Sequence, residues 1–429
     1  MDFFDSVLKA RRTRVGEALQ LTEEVVVIGA GEPIPLPEGT DQVYPFRAHA
    51  EFFYLAHTET TGAVLVFDPQ EGAADGWRLF VPDVTEGERV WEGKAQPEGE
   101  PVAALESWLN MRRGRPIVAL GAELRGVRAD LARTVRAREL LQHARRPKDA
   151  TELALIRQAV AATTTAYAKI QPLLRAGVTE RGLQIELEAE FFRGGGHRTG
   201  YGSIVGTGPN AAVLHLEPSQ RAAKSGEFIL IDAGAEVERY IADVTRTYVA
   251  DGKPSAFQRD FFQVVLSAEE KAITRCVPGA EWREIHLQTA VDLVAGLVSL
   301  GIMRGKPESL VEQDAHTLFY PHGLGHMVGL GVRDGSGMLP GRVKSTRASL
   351  RTLRFDAPLE VGYVMTVEPG LYFIPALLND PTRRERFKDC VNWDKVEPHL
   401  DLGGVRIEDN ILITTSVPDV LTKEIGKKL

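Results

Sequence analysis

Residues 228–248 read FILIDAGAEVERYIADVTRTY. Two apolar, β-rich runs flank a polar centre, the pattern of a β-hairpin. Each run carries an aspartate where a buried strand is ordinarily apolar: Asp232 in the first, Asp243 in the second. A turn centred on Val237 and Glu238 sets the two directly opposite one another. Like charges opposed across a hairpin destabilise it, so another part of the protein must compensate them.

The compensation has a counterpart further along the chain. SGEFILIDAG (225–234) and VGYVMTVEPG (361–370) share a spacing: Gly226, Asp232 and Gly234 match Gly362, Glu368 and Gly370. The strands that follow carry Asp243 in IADVTRT and Glu408 in VRIEDNI. Helical patterns at 149–171 and 179–193 precede the first pair of strands, and patterns at 255–276 and 281–300 precede strands near 362–373 and 404–414. This reads as a duplication in which each half supplies two inward acids. Unpaired buried charge is costly, so such acids pair or coordinate metal. Four hard oxygen donors suit one or two divalent cations, with manganese, magnesium, iron and cobalt all admissible.

A fifth element is FYPHGLGHMVGLGVRDG (319–335). His322 and His326 are four apart, but Gly323 and Gly325 argue against a helix and the glutamate of a helical zinc-protease motif is missing. In an extended segment the two histidines still share a face, one as a ligand and the other as a neighbouring contact. His215 in GPNAAVLHLEPS reads equally as structural or functional. The glycine-rich stretch 191–210 matches no phosphate loop and reads as a tight connection beside the site. Ser203 lacks the nucleophile-elbow pattern of a serine hydrolase.

Residues 1–145 read as a separate α/β unit. EEVVVIGAG, GAVLVFDP, WRLFVPD and PIVALG are short buried strands ended by Gly or Pro, and helical stretches lie at 3–20 and 101–112. LQHARRPKDATEL (141–153) reads as a linker, with Asp149 and Glu152 as a capping box opening the next helix. The length of 429 residues accommodates two or three domains. The net charge of −8 argues against a nucleic-acid or anionic-membrane binder. Two distant cysteines, Cys276 and Cys390, exclude a disulfide framework. No apolar run approaches the ~20 residues of a membrane span, and the first residues lack a signal-peptide pattern. The cytoplasm is the expected compartment. The basic stretch 341–354 reads as a solvated loop, with contact to an acidic substrate or another subunit as the sharper alternative.

Taken in order, IVGTGPNAAVLHLEP, ILIDAGAEVERYIADVTRTY, PHGLGHMVGL, MTVEPGLY and GVRIEDNILIT resemble the pita-bread (creatinase/aminopeptidase) metallopeptidases, and within them aminopeptidase P and prolidase. YPFRAHAEFFYLAHTETTGAVLVF and VWEGK are similar to the N-terminal part of aminopeptidase P. The resemblance implies an α/β N-terminal domain (1–145) followed by an α+β pita-bread catalytic domain (146–429) with pseudo-two-fold duplicated halves. It implies two divalent metal ions, usually manganese, with cobalt or zinc as alternatives. They would be held by Asp232, Asp243, His326, Glu368 and Glu408, with Asp243 and Glu408 bridging. Glu368 would be the proton shuttle; His215 and His322 would contact substrate; Arg406 would hold the acidic network, and Tyr372 matches a tyrosine near the site. The implied activity is hydrolysis of the bond between an N-terminal residue and a following proline, in peptides with proline second. Prolidase is the alternative, and a non-catalytic peptide-binding relative a third. Trp91 in VWEGK corresponds to a residue that reaches a neighbour's active site in similar tetramers, so a homo-oligomer, tetramer or dimer, is expected. One departure stands out: where relatives commonly carry a histidine, this chain has Arg333, which can orient substrate or stabilise an oxyanion but cannot shuttle a proton.

Overall fold

A computed structural model describes residues 2–39 and 41–429. It divides into two compact units, Met1–Arg145 and Arg146–Leu429.

In the first unit five strands form one sheet in the order β4-β3-β2-β1-β5. They are β1 (Val25–Gly29), β2 (Val64–Phe67), β3 (Trp77–Val81), β4 (Glu100–Pro101) and β5 (Ile117–Gly121). β1 and β2 are buried along their whole length, which is why their sequences are continuous apolar runs rather than alternating ones. The helices are α1 (Asp2–Ala18), α2 (Ala50–Ala56), α3 (Glu86–Glu92), α4 (Leu105–Asn110) and α5 (Leu131–Arg145). α5 corrects the reading of 141–145 as linker. Its buried face is Thr134, Ala137, Leu141 and Arg145. These sit at helical spacing but include one large apolar residue, so no apolar stripe marks the helix in sequence.

The second unit is built twice over. α6 (Ala150–Ile170) and α7 (Glu180–Arg193) belong to the first half, α8 (Ala256–Arg275) and α9 (Trp282–Ser299) to the second. The capping box at Asp149 and Glu152 opens α6, with reciprocal bonds of 2.9 and 3.0 Å. The first half's strands are β6 (Arg198–Thr199), β7 (Ile204–Thr207), β8 (Phe228–Asp232), β9 (Ala235–Val237), β10 (Tyr240–Ile241) and β11 (Thr245–Val249). β7-β8-β11 form one small sheet and β6-β9-β10 another. Then come β12 (Gly337–Met338), β13 (Phe355–Asp356), β14 (Val364–Val367), β15 (Gly370–Tyr372), β16 (Gly404–Arg406) and β17 (Asp409–Leu412).

The first hairpin's register differs from the expectation. Its turn centres on Glu238 and Arg239, not Val237 and Glu238; both have positive φ, 46° and 71°. That conformation matches the twist of a two-residue hairpin loop. Val237 therefore faces Tyr240 and Asp232 faces Thr245. Asp243 lies in the break between β10 and β11, opposite Gly234 and diagonal to Asp232 on the same face. The strands close tightly there: a Cβ on Gly234 would stand 1.8 Å from the Ala242 carbonyl oxygen. α6 caps the irregular backbone, as the Tyr167 hydroxyl donates to the Val244 carbonyl at 2.7 Å and Thr163 accepts from the Ala235 amide at 2.9 Å.

In the second half the direct opposition does occur. Val367 faces Asp409 and Gly370 faces Arg406, which leaves Glu368 and Glu408 opposite one another in the break. The two hairpins meet edge to edge, where the Glu408 amide donates to the Thr245 carbonyl at 3.1 Å. Arg246, 1% exposed, fastens the seam by donating to the Glu408 carbonyl and to Asp409, both at 2.6 Å.

Two substitutions test these constraints. Asp149→Ala is expected to cost about 1 kcal/mol through loss of the cap, read as a lower urea midpoint with an unchanged slope. Gly234→Ala should lower the midpoint further, because a backbone oxygen must move; a wild-type midpoint for that variant would contradict the register.

Candidate metal centre

A cavity of about 740 Å³ opens in the second unit over the breaks of both hairpins. Asp232, Asp243, Glu368, Glu408 and His326 all line it, as do His215, His322, Arg333 and Arg406. Tyr372 lies behind its wall, fully buried. Trp91 sits on α3 of the N-terminal unit, 87% exposed.

Each ligand candidate is held by backbone geometry. Asp232 ends β8; its two oxygens accept from Tyr201 and from Arg406, each at 2.7 Å. Asp243 is fixed at the backbone by Asn410, whose amide group bonds its N–H at 2.9 Å and its carbonyl at 2.7 Å. Glu408 accepts from the Thr245 hydroxyl at 2.6 Å. His326 lies in an extended segment stitched to β14. The Thr366 amide donates to the His326 carbonyl and the Glu368 amide to that of Leu324, both at 2.8 Å. Gly325 permits the approach, since a Cβ there would be 2.1 Å from the Thr366 carbonyl oxygen.

Donor atoms of Asp243, His326 and Glu408 lie within 4.8 Å of one another. His326 Nε2 is 3.6 Å from Asp243 and 3.7 Å from Glu368. Its Nδ1–H donates to the Met327 carbonyl at 3.0 Å. That bond places the proton on Nδ1 and turns the Nε2 lone pair toward the carboxylates, as metal-ligating histidines are typically oriented. Burial lowers the His326 pKa to about 4, so the ring is neutral at pH 7. A neutral lone pair aimed at carboxylates is repulsive unless a cation lies between them.

The carboxyls report the same frustration. Burial, then the neighbouring Asp232, pushes Asp243 well above the usual carboxylate range. Burial, then Asp243, does the same to Glu408. Burial raises Glu368 to about 7, with the charge of Arg406 acting against it. Hard oxygens with one imidazole nitrogen, gathered at these distances, fit divalent cations.

A second network supports the first. The Tyr372 hydroxyl accepts from Arg406 at 3.0 Å and donates to His322 Nε2 at 2.9 Å, while His322 Nδ1–H donates to the Gly323 carbonyl at 2.8 Å. His322 thus lines the cavity with both ring nitrogens engaged inside the protein. Burial lowers its pKa to about 3.

Sequence reasoning missed Tyr201, Thr245, Asn410 and Arg354. Thr245 and Asn410 each stand two residues after a ligand candidate, on the same strand face, which was a usable signal. Nothing in the glycine-rich connection singled out Tyr201.

Burial raises these carboxyls, Glu368 to about 7, so a cation competes with protons for them and metal affinity should rise as the pH is raised toward 7. The rise is about tenfold per pH unit for each proton released. Calorimetry of manganese binding in buffers of different ionisation enthalpy would detect the release; metal uptake without any proton release would contradict the reading.

Comparison with known proteins agrees with this geometry. Residues 154–415 match Metallopeptidase family M24, and residues 8–109 match the Aminopeptidase P, N-terminal domain. The probable Xaa-Pro aminopeptidase pepP of Botryotinia fuckeliana is 29% identical over 415 residues, covering 93% of this chain and 89% of that protein. Its counterpart in Aspergillus fumigatus is 29% identical over 447 residues, covering 96% and 94%. Among solved structures, Pseudomonas aeruginosa aminopeptidase PepP superposes with a TM-score of 0.77 at 28% identity, over 98% of this chain and 96% of that one. A zinc-substituted Escherichia coli aminopeptidase P in complex with product gives 0.78 at 26%, over 98% and 96%. With its catalytic half matched across both hairpins and the histidine segment, the chain belongs to metallopeptidase family M24.

Proposed function

We propose that this protein is an Xaa-Pro aminopeptidase, which removes the N-terminal residue from peptides with proline in second place. The observation that carries the metal-dependent chemistry is the convergence of Asp243, His326 and Glu408 donor atoms within 4.8 Å, with Glu368 beside them. The proline preference is supported by the names of the relatives, which cover nearly the whole chain.

Asp232, Asp243, His326, Glu368 and Glu408 would hold two divalent ions, manganese first. When bound, such a pair supplies a water of lowered pKa and positive charge to meet a developing oxyanion. The chain's own residues do the rest. Glu368, opposite Glu408 and reachable from the cavity, takes a proton and returns it to the leaving proline nitrogen. Arg406 holds the Asp232 carboxylate in place and, through Tyr372, fixes the orientation of His322. His215 and Arg333 line the cavity where the peptide binds. The scissile amide before proline has no N–H, so the site must grip the peptide elsewhere.

We further place the protein in the cytoplasm as a homo-oligomer, dimer or tetramer, without nucleic-acid or membrane partners. Both cysteines are free, and no described helix is long and apolar enough to cross a membrane. Trp91 is an aromatic side chain exposed in the manner of an interface anchor.

Two results test the proposal. Ala-Pro-Pro should be cleaved in preference to Ala-Pro, whereas a clear preference for the dipeptide would favour the prolidase reading. Asp243→Ala should lose at least 10³-fold in kcat/KM, about 4 kcal/mol of transition-state stabilisation, with circular dichroism unchanged; full activity would refute the ligand assignment.

A further inference from the structure

Glu180, the first residue of α7, is completely buried, yet it makes no ion pair with any described residue. Five hydrogen bonds satisfy it instead. Oε1 accepts from the Thr207 amide at 2.9 Å, the Thr207 hydroxyl at 3.0 Å and the Asn210 side-chain amide at 2.9 Å. Oε2 accepts from the Ser219 amide at 3.0 Å and from its hydroxyl at 2.5 Å. The positive end of α7 favours the same anion.

These donors belong to the two ends of one loop. Thr207 closes β7, and Asn210 stands in the short 3-10 turn Gly208–Ala212 that follows. Ser219 lies where the chain returns to α7. There the Ser219 carbonyl accepts from the Arg181 amide at 2.9 Å, and the Arg221 carbonyl from the Glu180 amide at 3.0 Å. Between the two ends, residues 214–218 line the cavity, His215 among them. Leu214 and Leu216 pack against a hydrophobic core of this unit. The His215 imidazole is exposed and makes no hydrogen bond with any described residue. Its position is therefore set by its backbone, and that backbone by the neck that Glu180 closes.

The neck is built for a carboxylate. Arg221 donates to the Thr207 hydroxyl at 2.6 Å from its guanidinium and to the Ser219 hydroxyl at 3.1 Å from its backbone amide. Each hydroxyl proton is thereby turned to Glu180. Each carboxylate oxygen also faces one backbone N–H, which cannot rotate away. A glutamine here would set its NH2 against the amide of either Thr207 or Ser219 and open one side of the neck. None of the five bonds involves a metal-ligand candidate or a side chain that holds one.

We propose that Glu180 is a positioning residue for substrate recognition: it clamps both ends of the 208–218 loop and so fixes His215 in the cavity wall, without acting on the metal ligands. This rests on the peptidase reading above.

Wild type, Glu180→Gln, His215→Ala and the double variant are compared with Ala-Pro-Pro as substrate and manganese bound. Glu180→Gln should lose about tenfold in kcat/KM, and His215→Ala at least as much. In the His215→Ala background the second substitution should cost less than about twofold, because both act through one group. Manganese affinity by calorimetry should stay within about twofold of wild type, where a residue that orients a ligand would cost about tenfold or more. Hydrogen exchange should quicken in 207–219 and not in 228–248. Asn210→Ala removes one donor and keeps the carboxylate; it should show a smaller loss in the same direction, and it decides the matter if Glu180→Gln does not fold. Wild-type kcat/KM in Glu180→Gln or His215→Ala, equal losses with and without His215, a parallel fall in manganese affinity, or unchanged exchange in 207–219 would overturn the assignment. So would a wild-type Asn210→Ala where Glu180→Gln fails to fold. Failure of the wild type to cleave any peptide with proline second would instead count against the peptidase reading, and the exchange comparison would still decide whether Glu180 holds the loop.

Discussion

Mutual repulsion among Asp232, Asp243, Glu368 and Glu408 is the constraint around which the second unit is organised. Carboxylates this buried are prohibitively costly if each stands alone as an anion. The chain spends much of its polar chemistry holding them in place: Tyr201 and Arg406 on Asp232, Thr245 on Glu408, Asn410 on the backbone of Asp243. Of these contacts only Arg406 brings an opposing charge, and it meets one carboxylate of the four. A divalent cation reverses the sign of the interaction, and the lone pair of His326 is already aimed where one would sit. Removing any one donor weakens the hold on a cation, which makes each ligand position intolerant of change in activity while the fold persists.

The acids and the histidine segment were legible in the sequence because each interrupts an otherwise apolar strand, and because the glycine spacing around Asp232 repeats around Glu368. The helices of the duplicated half were legible from their caps, as at Asp149 and Glu152. The hairpin register was misplaced by one residue. Glu238 and Arg239 adopt left-handed conformations without the Asn-Gly or Asp-Gly pair that usually signals such a turn. The consequence is chemical: the two halves present their acids differently, diagonal in the first hairpin and opposed in the second. The duplication is therefore one of placement rather than of pairing. α5 was missed because only Leu141 on its buried face is large and apolar, and Tyr201 because a tyrosine in a glycine-rich connection has no local signature.

The basic stretch 341–354 illustrates how a loop is divided between structure and function. Arg342 pairs with Glu281 and Asp356 at 2.8 Å, and Arg347 with Asp314 at 3.0 Å. These arginines fasten the segment to its own domain, so it is not merely solvated. Arg354, at its end, turns to the cavity instead. Together with Arg333 it makes this cavity wall positive where relatives commonly carry a histidine, without disturbing the donor set on the hairpins.

The central claim is that a cation converts the repelling acids into the element that holds the two hairpins together. Amide hydrogen exchange across 228–248 measures this directly, with the protein compared in manganese and in chelator. Exchange in this segment should slow markedly when manganese is bound, with little change in β1–β5. Equal exchange rates in the two conditions, at manganese concentrations that saturate the protein, would contradict it.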